Sequence, residues 1–494
     1  ETAWQALTRS GIPRIEADAR LVYAQILHVR GETVSAAREM QSLLSMLRWY
    51  RAQLPGVLGA WWWARSADVG HELLSLALQR AGPAATDGSE MLLALEQLHG
   101  LDRVLPAGTA NEDLRNRIAA LTSRIDMPPG GRTIAADIAA LRNSDADAVP
   151  APDAAFVDAM LGRLGRRETV LSWYFGERDA YLLAAGRSGV RLHRLGSAAS
   201  LRSRLEALNR SLAAGSAATG DMLDRLGADL LGVATPARGE RVYLLARGVM
   251  NGVPVDVLRI DDRYLAERCD VVRLESLAAL QRRRLVMPDD FERAVFLAGV
   301  PQSGRDPFNY EVRRSREIDT VRDRFVGAGL HIVQGVALDR DEFEDERFAA
   351  ASLLHLAMPG RIDLFDPDRS RLQVAGATDT VPNGFLSASG IRAFRLDAVL
   401  AVLSNTAVDG QARTAFDGRI GLVADFHAAG VDAVVASLWP AGDDANTAAM
   451  AEFYARLQPG SDIVDAFAEA RRALIDAANP GNFRQWAGFQ LFIR

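Results

Sequence analysis

The chain has 494 residues, 49% of them apolar and 24% charged, with a formal net charge of −6. That balance belongs to a soluble globular protein with room for about two to four domains. It does not point to a nucleic-acid partner, because no Lys/Arg run supplies a stripe that could track phosphates. No apolar stretch is long enough to span a bilayer: the most tempting, residues 57–64, is short and interrupted by Gly59. There is no lysine, so every strong cation is arginine; the plain cause is mutational bias in a GC-rich, bacterial genome. The single cysteine, Cys269, excludes an internal disulfide and reads as a structural thiol at the start of a strand. The chain opens at Glu1 without Met, which is compatible with a removed signal segment or with further repeats upstream; a cytoplasmic location is slightly favoured.

Residues 1–126 read as helical. Leu21, Ala24 and Leu27 precede Gly31, and Ala36, Met40, Leu43, Leu44 and Leu47 follow it. This is helical periodicity on both sides of a glycine break, the pattern of an αα-hairpin. The placing of Ala24, Gly31 and Ala36 resembles a tetratricopeptide (TPR) repeat, a unit that needs stacked neighbours to bury its faces. Trp61, Trp62 and Trp63 fan around a helix, so they cannot all face one core; the plainer reading puts two in the core and one at a domain junction, and the functional one makes them a partner surface. Residues 127–153, rich in Pro, Gly, Ala and Asp, form a linker around one short helix.

From residue 154 short β-rich runs alternate with helices. Segments 169–175, 181–185 and 190–195 predict a strand meander, followed by a helix over 201–213 and strands at 242–246 and 271–273. These make a first α/β subdomain, residues 154–287. A second, residues 288–494, holds strands at 294–299, 331–333, 353–357, 399–403 and 433–438. Its helices fall at 311–325, 340–350, 418–429, 443–456 and 463–477. Apolar strands alternating with amphipathic helices predict an α/β fold, a parallel sheet covered on both faces.

Two segments of that second subdomain carry a specific likeness. Leu353-Leu354-His355-Leu356-Ala357-Met358-Pro359-Gly360 is similar to a His-x-Ala-x-His-Gly signature, and Val402-Leu403-Ser404-Asn405-Thr406-Ala407-Val408-Asp409-Gly410 to Leu-Ser-Ala-Cys-x-x-Gly. Asp417-Gly418, Ala428-Ala429-Gly430, Val434 to Trp439 with Asp443, Phe453-Tyr454 and Trp486-Ala487-Gly488-Phe489 follow in matching order. So do the upstream segments 241–245, Asn251-Gly252-Val253-Pro254 and Tyr264-Leu265. The last two thirds of the chain thus resemble the CHAT family, the caspase- and separase-like cysteine peptidases often found behind tetratricopeptide repeats. The resemblance implies a caspase-like fold. It also places Pro359 in the slot of the catalytic His and Thr406 in that of the nucleophilic Cys.

Cysteine-peptidase chemistry needs a thiolate and an imidazole. Thr406 offers a hydroxyl far harder to ionise, and Pro359 has no titratable group. No catalytic residue is therefore expected at the dyad positions. Ser404, two residues before Thr406, and His355, in the strand leading to Pro359, are possible substitutes. Extended geometry would put roughly 13 Å between the Cα atoms of residues 355 and 359, and His355 reads better as a hydrogen-bonded core histidine. Asn405, Asp409, Asp417 and Asp443 are candidates for binding in the cleft, as acidic residues are in active relatives, although Asp also suits loops and turns. No histidine pair or second cysteine makes a metal set, and no glycine-rich phosphate loop follows a strand, so no cofactor is expected. The leading expectation is a catalytically inactive pseudopeptidase that binds another protein or a peptide. Its rivals are a peptidase with a site rebuilt on Thr406 or Ser404, and a structural assembly protein with a collapsed cleft.

Overall fold

The computed structural model describes residues 13–53, 59–82, 86–102, 151–214, 219–282, 285–288, 293–298, 317–320, 330–334, 340–358, 360–361, 370–374, 385–407, 422–439, 443–477 and 486–494, together with Leu7 and Arg322. It divides into two compact units, residues 1–159 with 414–418, and the rest.

The first unit is helical: α1 (Pro13–Val29), α2 (Thr33–Gln53), α3 (Gly59–Ala81) and α4 (Ser89–Asp102). The glycine break between α1 and α2 is a Schellman turn. Gly31 takes φ +78°, its N–H donates to the His28 carbonyl at 2.9 Å, and the Glu32 N–H donates to Leu27 at 2.9 Å. Ala17, Leu21, Ala24 and Leu27 of α1 and Ala36, Met40, Leu43, Leu44 and Leu47 of α2 are buried. Polar bonds cross-link the stack: His28 Nδ1 lies 2.7 Å from Glu72 Oε1 on α3, and the Gln41 amide donates to Gln97 of α4 at 2.9 Å. Burial of Arg48 on α2 lowers its guanidinium pKa to about 10. The tryptophans 61–63 fall within α3, but their side chains lie outside the described residues.

The second unit is built on an 11-stranded sheet. After α5 (Ala154–Leu161) comes the predicted meander, β1 (Glu168–Phe175), β2 (Asp179–Gly186) and β3 (Gly189–Ser197), then α6 (Ala198–Ala214) and α7 (Thr219–Leu231). β4 (Arg241–Leu245), the short hairpin of β5 (Arg259–Ile260) and β6 (Arg263–Tyr264), and β7 (Asp270–Leu274) complete this half. The other half holds β8 (Ala294–Ala298), β9 (Leu330–Gln334), β10 (Leu353–Ala357), β14 (Leu400–Ala407) and β15 (Ala433–Ser437). Between β10 and β14 lies a small antiparallel sheet of β11 (Gly360–Arg361), β12 (Arg371–Gln373) and β13 (Phe385–Ser387), with α8 (Ala388–Ala393). Helices α9 (Leu422–Ala429), α10 (Asp443–Arg456) and α11 (Ile463–Ala477) precede the last strand, β16 (Phe489–Ile493).

The large sheet runs β3-β2-β1-β4-β7-β16-β15-β14-β10-β8-β9. β1, β4, β7 and β16 are mutually parallel, and so are β15, β14, β10, β8 and β9. The two sets meet at the antiparallel pair β15–β16, so the sheet is mixed where the alternation of strands and helices predicts a parallel one. Every residue of β8, β10, β15 and β16 is buried, as strands covered on both faces require. The single helix expected over 340–350 is instead a 3₁₀ turn, Arg340–Phe343, and a separate short helix, Glu346–Ala349. Asp345 divides them: its carboxylate accepts from the Arg347 N–H at 2.7 Å, an N-cap that restarts the helix. The helix expected over 311–325 lies mostly outside the described residues.

β16 is fixed by buried polar groups as well as apolar ones. The Gln490 amide donates to both oxygens of Asp256 at 3.1 Å, and its oxygen accepts from Arg273 Nε at 3.1 Å. Arg471 Nη1 lies 2.5 Å from Asp256, and its Nη2 donates to the Phe489 carbonyl at 2.6 Å. Arg273 also donates to the carbonyls of Asn251 at 2.8 Å and Val253 at 2.5 Å. All four side chains are buried, so this network ties the Asn251–Pro254 turn, α11 and β16 into one interior.

Gly430 ends α9 with φ +130°, and a Cβ there would sit 2.2 Å from the Leu396 carbonyl oxygen. Gly430→Ala is therefore expected to cost about 2–3 kcal/mol in denaturant unfolding. Gly186→Ala, where nothing lies within 4 Å of a built Cβ, should change the midpoint little.

Candidate functional site

In a parallel sheet ligands gather beyond the carboxyl ends of the strands. β10 and β14 are adjacent and in register, with Ala357 opposite Ser404, so both signature segments leave the sheet at the same edge. Met358, the first residue beyond β10, is wholly buried. Pro359 lies outside the described residues, as do Asp409 and Asp417. Asn405 and Thr406 lie on the backbone of β14, and Asp443 opens α10, but their side chains lie outside the described residues.

Strand β14 is irregular where it carries the signature. Leu403 pairs with Ala436, yet the next pairing with β15 joins Ala407 to Ser437, so residues 404–406 have no opposite number on β15. Such a bulge breaks the two-residue alternation.

His355 and Ser404 are brought together, though not with each other as direct partners. His355 sits mid-strand on β10, its ring stacked on Phe296 of β8 with centroids 5.3 Å apart. Its Nε2 lies 3.1 Å from Glu317 Oε1 and its Nδ1 2.8 Å from the Tyr454 hydroxyl on α10. The Ser404 hydroxyl donates to the same Glu317 oxygen. His355 and Ser404 are 0% exposed, and Glu317 and Tyr454 1%. Burial, with a smaller contribution from the Glu317 charge, pushes the Tyr454 phenol well above its ordinary value, so it stays a donor. The network is satisfied when Tyr454 O–H donates to Nδ1 and Nε2–H donates to Glu317. A serine nucleophile needs its hydroxyl on the imidazole; here hydroxyl and imidazole both donate to one carboxylate.

Sequence reasoning missed Glu317 as a member of this set. Its signal was an imidazole in an otherwise apolar strand, which demands polar partners. Tyr454 was visible only as part of the Phe453-Tyr454 pair. Two further polar groups bracket residues 440–442. The Trp439 indole N–H and both polar atoms of the Asn446 amide on α10 are buried and have no hydrogen-bond partner among the described residues.

Cys269 is elsewhere, buried just before β7. Burial, and then the Glu240 charge, pushes its thiol up to about 11, and it contacts the Ala237 carbonyl at 3.4 Å. Among the described residues no group of three His, Cys, Asp or Glu side chains is placed to hold a metal ion, and no helix is long and apolar enough to cross a membrane.

A large mixed sheet flanked by helices, with the two signature strands side by side, defines a caspase-like, peptidase-related fold. The CHAT domain family matches residues 204–493, more than half of the chain, and the chain belongs to that family. No curated protein sequence matches it. Among solved structures, the 3.0 Å separase–securin complex of Saccharomyces cerevisiae aligns with TM-score 0.51 at 9% identity, over 93% of this chain and 37% of that one. The 2.6 Å structure of the same complex gives TM-score 0.48 with the same identity and coverage. The Arg-specific cysteine proteinase gingipain R aligns with TM-score 0.34 at 9% identity, over 56% of this chain and 67% of that one. The chain thus spans little more than a third of the separase it resembles, and at this identity the likeness is one of fold.

Proposed function

We propose that the chain is a catalytically inactive CHAT-domain pseudopeptidase that binds another protein or an extended peptide. What carries this is the sequence likeness, which puts Pro359 in the slot of the family's catalytic His and Thr406 in that of its nucleophilic Cys, and so takes away base and nucleophile together. The bonding of Ser404 and His355 supports it, since the Ser404 proton is directed at Glu317 and both side chains are closed to solvent. The separase crystals contain securin, a protein partner on a related fold. Asn405, Asp409, Asp417 and Asp443 remain the residues proposed to line the binding cleft, and Trp61, Trp62 and Trp63 a second partner surface.

One observation favours the rival assembly reading. Met358 is wholly buried at the strand end, where a closed cleft would place it.

The purified protein is expected to give no cleavage above background on basic-P1 or acidic-P1 peptide libraries read by mass spectrometry. Turnover that disappears in Thr406→Ala or Ser404→Ala would replace this proposal with a rebuilt hydrolase. Equilibrium binding of the same libraries separates a peptide-binding cleft from a closed one.

A further inference from the structure

The sheet of the second unit is continuous, but its strands are not held equally. Its first half, residues 160–282, and its second, from residue 285 onward, are each contiguous in sequence, so the chain passes from one to the other once. In the sheet they meet where β7 borders β16. That border is short. β7 and β16 share two registered pairs, against four for β4–β7 and five each for β15–β16, β10–β14 and β8–β10. Polar groups line it: Arg273 of β7 and Asp256 both bond Gln490 of β16, and Asp256 pairs with Arg471 of α11. Partly exposed ion pairs close its rim, Arg472 with Asp270 at 2.9 Å, Arg241 with Asp465 at 2.5 Å and Arg282 with Asp432 at 2.6 Å. Tyr264 against Trp486, with ring centroids 5.1 Å apart, adds an apolar contact. The second half is tied to itself more firmly. Phe467 of α11 packs on Phe453 of α10 with centroids 5.7 Å apart, and β16 pairs along its whole length with β15. A polar border between two bodies with apolar interiors is one along which they move relative to each other.

We infer that the second unit is hinged along the β7–β16 border and opens as two bodies, residues 160–282 against the part from residue 285 onward, with the rim ion pairs as a salt-sensitive clasp. The rim pairs are open enough to solvent for added salt to screen them, whereas the Asp256–Arg471 pair beneath them is buried and screened much less. α10, α11 and β16 travel with the second half. The bonds of His355 to Tyr454 and Glu317 are therefore carried intact through the opening. Opening bares Asp256 and Arg273, which are buried when the border is closed, so it changes the charge that this unit presents to a partner. The inference rests on the border alone and is independent of the pseudopeptidase reading.

Hydrogen–deuterium exchange of the full chain, read by mass spectrometry at about 0.05 M and about 1 M NaCl, tests this. The Glu275 N–H, which donates to the Ile493 carbonyl at 3.0 Å across the border, is the direct reporter. The peptide that holds it should exchange at least about threefold faster at the higher salt, while β1–β2 and β10–β14 keep their rates. Arg282→Gln/Arg472→Gln, at two partly exposed positions, should give the same local gain at low salt with an unchanged circular dichroism spectrum. Border amides that keep one rate at both salts and in the double variant overturn the inference. So does a gain spread evenly over the whole sheet, which is the signature of cooperative unfolding and not of a hinge.

Discussion

Replacing Arg471 with methionine is expected to destabilise the second unit by about 3–5 kcal/mol, read from the midpoint of denaturant unfolding. Methionine keeps most of the volume, so the loss is one of charge and hydrogen bonding. Arg471 Nη1 lies 2.5 Å from Asp256, a carboxylate with no solvent exposure, and Nη2 donates to the Phe489 carbonyl at 2.6 Å. Burial lowers the guanidinium pKa, and Asp256 opposes that shift. Without Arg471 the Asp256 charge would retain, among the described residues, the Gln490 amide, whose two 3.1 Å bonds carry no formal charge. Removing one partner of a buried pair costs more than removing both, because the survivor stays desolvated. Asp256→Asn/Arg471→Met should therefore be less damaging than Arg471→Met alone. Arg471→Lys should fall between, since an ammonium lacks the planar fork that spans Asp256 and the Phe489 carbonyl. A cost below about 1 kcal/mol for Arg471→Met, or strict additivity in the double variant, would mean that packing against Phe467, whose ring lies 4.5 Å from the guanidinium, is the main contribution.

How much of this was legible in the sequence depended on the distance over which each feature is determined. β10 was read at its observed bounds because a run of four apolar residues around His355 sits between turn signals, and α10 and α11 were read at theirs from periodicity over three or four turns. α7 and β16 were not read as elements. Phe489–Ile493 is only five residues long, and its seat between β15 and β7 is set by partners far away in the chain. The bulge at residues 404–406 is likewise invisible locally, because it is defined by which residue of β15 Ala407 meets. The polar partners of His355 lie 38 and 99 residues away on other elements. Spacing gives the need for such partners without giving their identity.

The same distant partners set the cost of losing His355. His355→Leu is expected to destabilise the second unit by about 3–5 kcal/mol, because it strands two buried groups at once. Glu317 would lose the Nε2–H donor and keep the Ser404 hydroxyl, while the Tyr454 hydroxyl would lose its acceptor. Ser404→Ala removes one donor and should cost about 1–2 kcal/mol, well below His355→Leu. Tyr454 supplies a signature that packing alone does not. Its phenol is raised well above the ordinary value of 10.0 in the folded chain, first by burial and then by Glu317. A raised folded value means that the unfolded chain loses this proton first. The stabilisation is complete below about pH 10 and declines as the pH rises further, by up to about 1.4 kcal/mol per pH unit. Tyr454→Phe should lower stability by about 1–2 kcal/mol at pH 7 and flatten that alkaline decline relative to the parent chain. Parallel slopes above pH 10 in parent and variant would show that the phenol titrates freely, and the chain of bonds from Tyr454 through His355 to Glu317 would then have to be abandoned.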